Sequence, residues 1–279
     1  NLPSLRRSLL ERQVPPAYFE IFWNTTRALA STKSEVSDAR LTYHGEGLWI
    51  TQPGVTESQL FRRAVAEAGE HLHVLQSAWL NHECAAKFFA GHCYGTYLPP
   101  LYTRWSAEVV AENTTAVQRQ LDQQGCLQNG ITPLVLLEMP PLTYFMAGTV
   151  PIPTFFHVIC DQSPCGLVLD IGHLWTVYRY TGAYRMMSLP QFIETFLDEF
   201  PLDRVVEIHV AGLDIHESIR ALPTPRVGAD DCTLPAWTDA HGAPIPSVLF
   251  EMLDQVLCHP QLASLRGLAL EVDTKPSET

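Results

Sequence analysis

The chain has 279 residues, 46% of them hydrophobic, and carries 30 acidic against 18 basic side chains, a formal charge of −12. That size builds either one αβ barrel or two smaller domains, and no shift in composition along the chain favours two. The charge excludes a general binder of nucleic-acid backbone, which needs clustered Lys and Arg, and no apolar run approaches the ~18 residues that read as a membrane span.

In chain order, Pro3 opens a predicted helix over residues 5–12, and residues 18–22 then read as a strand. A barrel strand is expected ahead of that helix and is truncated or missing here. A strand at 41–48 is followed by a helix at 57–68, begun by a capping-box-like pattern from Thr56 to Gln59, and by a strand at 72–78. Residues 81–103 read as a long loop rich in Gly, His and aromatics, a composition too aromatic for disorder and typical of a functional loop. A helix at 107–124 leads to a strand at 133–138, and the loop PPLTYFMAGTVPIP runs into a segment at 154–161 before the strand GLVLD at 166. A helix at 190–200, a strand at 204–211, a long polar loop to 243, a helix at 247–257 and a strand at 267–272 complete the pattern.

Seven predicted strands alternate with helices, and the missing first one makes eight. Such alternation predicts a parallel sheet, and eight units close a TIM (β/α)8 barrel, read here as one domain over residues 1–279. A doubly wound open sheet is the alternative, but no GxGxxG follows a strand to support a dinucleotide site.

Barrel enzymes place their chemistry at the C-terminal strand ends, and there this sequence concentrates polar groups. PLVLLE ends at Glu138, GLVLDIGH carries Asp170 and His173, RVVEIHVAG carries Glu207 and His209, and GLALEVD ends at Glu271 and Asp273. LTYHGEG adds His44, the aromatic loop His82, and DAHGAPIP Asp239 and His241. The candidate metal-ligating set is His44, His82, Glu138, Asp170, His173, His209, Asp239, His241 and Glu271. Imidazole and carboxylate without thiolate suit Fe, Mn or Zn, and nine donors exceed the needs of one ion. Each residue alone has a plain structural reading, such as a hydrogen-bonded core histidine or an Asx turn at Asp239; their recurrence across separate segments favours a site. The second DxH, Asp214 and His216, is a short pattern that arises by chance, and His71, His73, His92, His157 and His259 are weaker candidates. Seven scattered cysteines, an odd number with no CxxC, read as reduced thiols of a cytoplasmic enzyme. Cys84 and Cys93 lie beside His82, with a plain buried thiol as the expected role. No GxSxG supports a serine nucleophile. No signal peptide is visible, and because the chain opens at Asn1, further upstream sequence is expected.

FEIFWN with Glu20, YHGEGL, the His82 loop closing on YLPPLYT, LLEM, GLVLDIGH, EIHVAG, DAHGAPIP and LEVD together resemble the DUF692 proteins, the multinuclear non-heme iron-dependent oxidative enzymes. The resemblance runs from Leu5 to Asp273. It implies a xylose isomerase-like TIM barrel, two or three irons of mixed Fe(II)/Fe(III) state held by the nine residues above, and O2 as co-substrate. It further implies oxidative modification of a residue, often cysteine, in a ribosomally made precursor peptide, with a partner protein that recognises the leader peptide. Asp170, His209 and Asp239 are the residues to which catalysis is assigned. The sequence departs from the family at Met139, where Asn is common, and at Trp49, where Ser is frequent. A metal-dependent barrel isomerase or phosphodiesterase is the second reading, weakened by a lysine content of only Lys33, Lys87 and Lys275. A barrel that has lost its metals and acts as a binding partner is the third. Phe88, Phe89 and Tyr144, in apolar loops at the catalytic face, are the expected peptide-docking residues.

Overall fold

The computed structural model describes residues 2–89, 91–125, 130–142, 146–214, 237–239 and 241–271. It divides into two compact units: residues 1–140, 147–168 and 276–279 form the first, and residues 141–146 and 169–275 the second.

The first unit begins with helix α1 (Leu2–Glu11), strand β1 (Phe19–Phe22), helix α2 (Thr26–Glu35) and strand β2 (Leu41–His44). Helix α3 (Gln59–Leu75), capped by Ser58, leads to β3 (Trp79–Glu83). Strands β4 (Ala86–Phe89) and β5 (His92–Leu98) form an antiparallel hairpin of their own. Helix α4 (Arg104–Gln124), β6 (Leu134–Glu138), helix α5 (Ile152–Gln162) and the start of β7 (Gly166–Asp170) complete the unit. Its main sheet runs in the order β1, β2, β3, β6, β7, and every pairing in it is parallel. Strands β2, β6 and β7 are buried almost throughout, as expected of parallel strands with both faces covered.

Two expectations are corrected here. The run at 72–78 is not a strand: the apolar spacing of Phe61, Val65, Ala68, Leu72 and Leu75 continues the helical stripe, and the strand starts at Trp79. The aromatic stretch at 81–103 is not an irregular loop: it holds the end of β3 and the antiparallel hairpin of Ala86–Phe89 and His92–Leu98. Helix α2 was not expected, since it carries a single buried residue, Leu29, and so shows almost no amphipathic signal.

The second unit holds the end of β7, helix α6 (Ile171–Tyr180), helix α7 (Leu189–Glu199), β8 (Val205–Ala211), the short strands β9 (Leu213–Asp214) and β10 (Thr238–Asp239), helix α8 (Ser247–Leu257) and β11 (Gly267–Glu271). Strands β8 and β11 pair in parallel, with His209 opposite Ala269 and Glu271 opposite Ala211. Gly212 lets the DAHGAPIP segment approach, since a Cβ there would lie 2.0 Å from the Ala243 carbonyl oxygen. Among the described residues no helix is long and apolar enough to cross a membrane.

Candidate metal centre

In the first unit, β2 ends on His44 and β6 on Glu138 because apolar residues carry each strand to its last position. His44 Nδ1 lies 3.1 Å from the Gly45 carbonyl, which only accepts, so Nδ1 carries the proton. Nε2 then faces Glu138 Oε2 at 3.3 Å, a contact bridged either by a proton on Nε2 or by a cation. Asn81 Nδ2 donates to the same Glu138 oxygen at 3.0 Å and fixes its direction. Glu83 pairs in register with Glu138, and each offers an oxygen to a group whose donor atoms lie within 4.8 Å of one another.

His82 behaves differently. Its Nε2 accepts the Leu48 N–H at 3.1 Å, and its Nδ1 lies 2.8 Å from the Glu83 carbonyl. Both ring nitrogens are thereby engaged by backbone, and burial pushes the imidazole down to about 4, so it is neutral. The hydrogen bond from Leu48 precedes Trp49, whose φ of 46° is a left-handed conformation costly for a bulky residue. Trp49 packs 6.1 Å from the His82 ring and 5.8 Å from Phe88. Phe88 and Phe89 are 45% and 62% exposed, and Phe22, also exposed, lies 5.2 Å from the His44 ring. Tyr144 lies outside the described residues. The hairpin is tied down by Glu46, which accepts from Tyr97 at 2.6 Å and pairs with Lys87 at 2.9 Å, and by Gln52, which donates to the Phe88 carbonyl. Burial first, then the carboxylates of Glu83, Glu46 and Glu138, raise the Tyr97 phenol well above its ordinary range.

In the second unit, Asp170 ends β7 and caps α6, its Oδ1 accepting the His173 N–H at 2.7 Å. The His173 ring stands 4.0 Å from the same oxygen. Glu207 and His209 sit two apart on β8 and so share a face. His209 is fully buried, with Nε2 3.6 Å from Glu207 and Nδ1 3.6 Å from Glu271. These distances exceed a hydrogen bond, and a neutral imidazole cannot donate from both nitrogens. Asp170, His209 and Glu271 each present a donor atom, and the three lie within 4.8 Å of one another. His241, held at φ 50°, approaches Glu271 at 3.9 Å. Asp239 falls in β10, and its carboxylate lies outside the described atoms, as does His216. Buried carboxylates gathered around an imidazole carry an excess of negative charge that costs several kcal/mol per ion unless a cation offsets it. Nitrogen and oxygen donors without thiolate fit iron, manganese or zinc.

Of the residues the sequence singles out, the structure gathers Asp170, His209 and Glu271, sets His44 beside Glu138 and His173 beside Asp170, and leaves His241 3.9 Å from Glu271. The sequence did not assign a role to Asn81, Glu83 or Glu207, although a period of two along β3 and β8 places Asn81 with Glu83 and Glu207 with His209. Of the weaker histidines, His71 is a core residue, its Nδ1 2.8 Å from the Tyr43 hydroxyl and its Nε2 3.1 Å from Thr26 Oγ1. His259 is 3.3 Å from Asp198 on the surface. Cys84 is a buried free thiol that burial pushes up, whereas Cys93 is a free thiol on the exposed hairpin.

Comparison with known proteins places these features. A UPF0276 protein of Paraburkholderia phytofirmans is 26% identical over 243 residues, 76% of this chain and 70% of that protein. A UPF0276 protein of Caulobacter vibrioides is 23% identical over 233 residues, 82% and 69% of the two chains. Among solved structures, endonuclease IV from Thermus thermophilus aligns over 100% of this chain and 90% of its own at a TM-score of 0.53 and 15% identity. D-psicose 3-epimerase from Clostridium cellulolyticum aligns over 98% and 80% at 0.51 and 12%. A xylose isomerase domain containing protein from Salmonella typhimurium aligns over 98% and 84% at 0.50 and 11%. The fold is therefore the xylose isomerase-like TIM barrel. The model of the RiPP precursor modification enzymes MbnB/TglH/ChrH matches residues 4–278, and the chain belongs to that family.

Proposed function

We propose that this protein is a multinuclear non-heme iron enzyme that uses O2 to modify a residue, cysteine in the first instance, of a ribosomally synthesised precursor peptide. The observation that carries the reading is the convergence of Asp170, His209 and Glu271, whose donor atoms lie within 4.8 Å. Membership of a precursor-modifying family supports it independently. The proposed iron ligands are His44, Glu138, Asp170, His173, His209, Asp239, His241 and Glu271; His82, with both nitrogens bound to backbone, is left out. Bound iron supplies O2 activation and lowers the pKa of a substrate thiol.

The chain's own residues provide placement. The cap from Asp170 fixes both its carboxylate and the start of α6, which carries His173. Asn81 orients Glu138, and the protonated Nδ1 of His44, held by Gly45, keeps Nε2 pointed inward. Trp49, Phe88 and Phe89 offer an apolar surface on which a peptide docks, with Tyr144 in the same role. A formal charge of −12 disfavours phosphorylated metabolites and nucleic acid as substrates, and a leader-recognising partner protein in the cytoplasm completes the proposed system.

Elemental analysis of aerobically purified protein tests the reading. More than one equivalent of iron is expected, together with a mass change in a cysteine-containing precursor peptide incubated with O2. One zinc with negligible iron overturns it.

A further inference from the structure

Beyond the metal centre, the second unit holds a guanidinium against two aromatic rings. Arg179 stands in the last turn of α6, and its Cζ lies 4.8 Å from the centre of the Tyr184 ring and 5.7 Å from that of Tyr180. Arg185, in the 3-10 turn Ala183–Arg185, approaches the same Tyr184 ring at 5.2 Å. A basic residue at a helix C-terminus ordinarily answers the last carbonyls and the helix dipole. Here that end is already served by Thr181, whose backbone N–H and hydroxyl both donate to the Val177 carbonyl, at 3.1 and 2.7 Å. The Nε–H of Arg179 is buried and has no hydrogen-bond partner among the described residues. A buried donor in that state needs an acceptor.

We infer that Arg179 is the docking point for a carboxylate of the precursor peptide, and that this contact sets which peptide residue reaches the metal centre. The inference deepens the peptide-modifying reading above and rests on it. A guanidinium stacked on tyrosine has a fixed orientation, and its planar fork matches a carboxylate. In a chain of formal charge −12, a peptide carboxylate is repelled over most of the surface, so a guanidinium whose neighbours are aromatic is a place that accepts it.

The position of Arg179 gives the contact its meaning. Helix α6 starts from Asp170 and carries His173, and at a rise of 1.5 Å per residue Arg179 lies about 14 Å along the axis from Asp170. The hydroxyl of Tyr180 donates to the Trp237 carbonyl at 2.7 Å, two residues ahead of Asp239 in the sequence. An extended peptide advances about 3.3 Å per residue, so a carboxylate held by Arg179 falls about four residues from a residue held beside Asp170. An Asp or Glu side chain and a C-terminal carboxylate have the same chemistry, and peptides separate the two sources.

The test is calorimetry on purified protein with synthetic peptides, compared among wild type, Arg179→Gln and Arg179→Lys, with thermal melting as a check of folding. The reference peptide, acetyl-Glu-Gly-Gly-Gly-Cys-Gly-Gly-Gly-Glu-amide, places Glu four residues from Cys on either side, so chain direction does not matter. A second peptide carries Gln in place of both Glu residues, a third brings each Glu to two residues from Cys, and a fourth, acetyl-Gln-Gly-Gly-Gly-Cys-Gly-Gly-Gly-Gly, ends on a free carboxylate. Wild type is expected to bind a carboxylate at four residues about 10-fold more tightly than the Gln peptide, the weight of one charge-assisted hydrogen bond. Whichever of the reference and free-terminus peptides gains names the source. Arg179→Gln should lose the preference, and Arg179→Lys, with the charge but not the fork, should keep only part of it. Equal binding of the reference, Gln and free-terminus peptides by wild type overturns the inference, as does an undiminished preference in folded Arg179→Gln. A preference equally strong with Glu at two residues overturns the register. Iron content of the same preparations separates this inference from the reading beneath it: an Arg179-dependent preference in protein that purifies without iron overturns the iron centre and leaves the carboxylate subsite in place.

Discussion

Asn81 reaches across from β3 to β6 and gives its amide N–H to Glu138 Oε2 at 3.0 Å. The contact leaves Glu138 with one oxygen anchored, so its lone pairs have a fixed direction. Such outer contacts hold a ligand ready, and losing one weakens metal affinity by about 10- to 100-fold. Asn81→Ala is expected to show a loss of that order in competition with a chelator, with secondary structure unchanged by circular dichroism.

Asp170 has two tasks that substitution separates. Its Oδ1 caps α6 through the His173 N–H, and its charge belongs to the set with His209 and Glu271. Asn caps a helix about as well as Asp, whereas Ala loses about 1 kcal/mol. Asp170→Asn should melt close to the metal-free wild type and still lose iron. Asp170→Ala should lose iron and also melt several degrees lower. Equal melting of both variants would show that the cap contributes nothing.

His71 links stability to pH. It is fully buried between the Tyr43 hydroxyl and Thr26, and burial lowers its pKa below the ordinary 6.5, partly opposed by Glu67 and Glu70. The unfolded chain, with the higher pKa, takes up the proton first, so this contribution is complete above about pH 6.5 and is lost as pH falls below that value. Urea midpoints should drop between pH 7.5 and 5.5 more in the wild type than in His71→Gln. The substitution itself is expected to cost about 1–3 kcal/mol at pH 7.5, because it disturbs the buried Tyr43 hydroxyl.

Peptide docking on Phe88 and Phe89 has its own signature. Apolar contact is insensitive to moderate salt, and truncating exposed aromatic anchors costs about 1–2 kcal/mol each. Calorimetry with a precursor peptide should show weaker binding to Phe88→Ala and Phe89→Ala and little change between low and moderate salt. Affinity that collapses with salt and ignores both substitutions would refute a docking role.

The barrel was legible, and with it the strand-end candidates the structure sets close together, because strand ends are written in sequence as an apolar run closed by a polar residue, as in VLLE and LVLD. The start of β3 was not. Helix α3 carries Leu72 and Leu75 right up to the strand, so the apolar signal has no gap at which helix gives way to strand. That misplaced boundary had a further effect on the site. With the strand ending at 78, His82 reads as a loop residue free to turn anywhere; with the strand running from Trp79 to Glu83, alternation turns it away from Glu138. Glu207 shows a different limit: the sequence singles it out with His209 on one strand, yet a carboxylate inside a strand is as common on a solvated face, so it stayed outside the ligand set.

The Glu46 tie across the hairpin has a practical consequence. Lys87 is the only Lys or Arg between Arg63 and Arg104, so trypsin finds a single bond to cut in that whole stretch, after Lys87. The ammonium that the protease must take into its specificity pocket is engaged by Glu46 at 2.9 Å and lies 4.1 Å above the Tyr97 ring. Cleavage there therefore measures how often the hairpin lets go, and a fragment boundary at residue 87 becomes a clock for the mobility of the surface that carries Phe88 and Phe89.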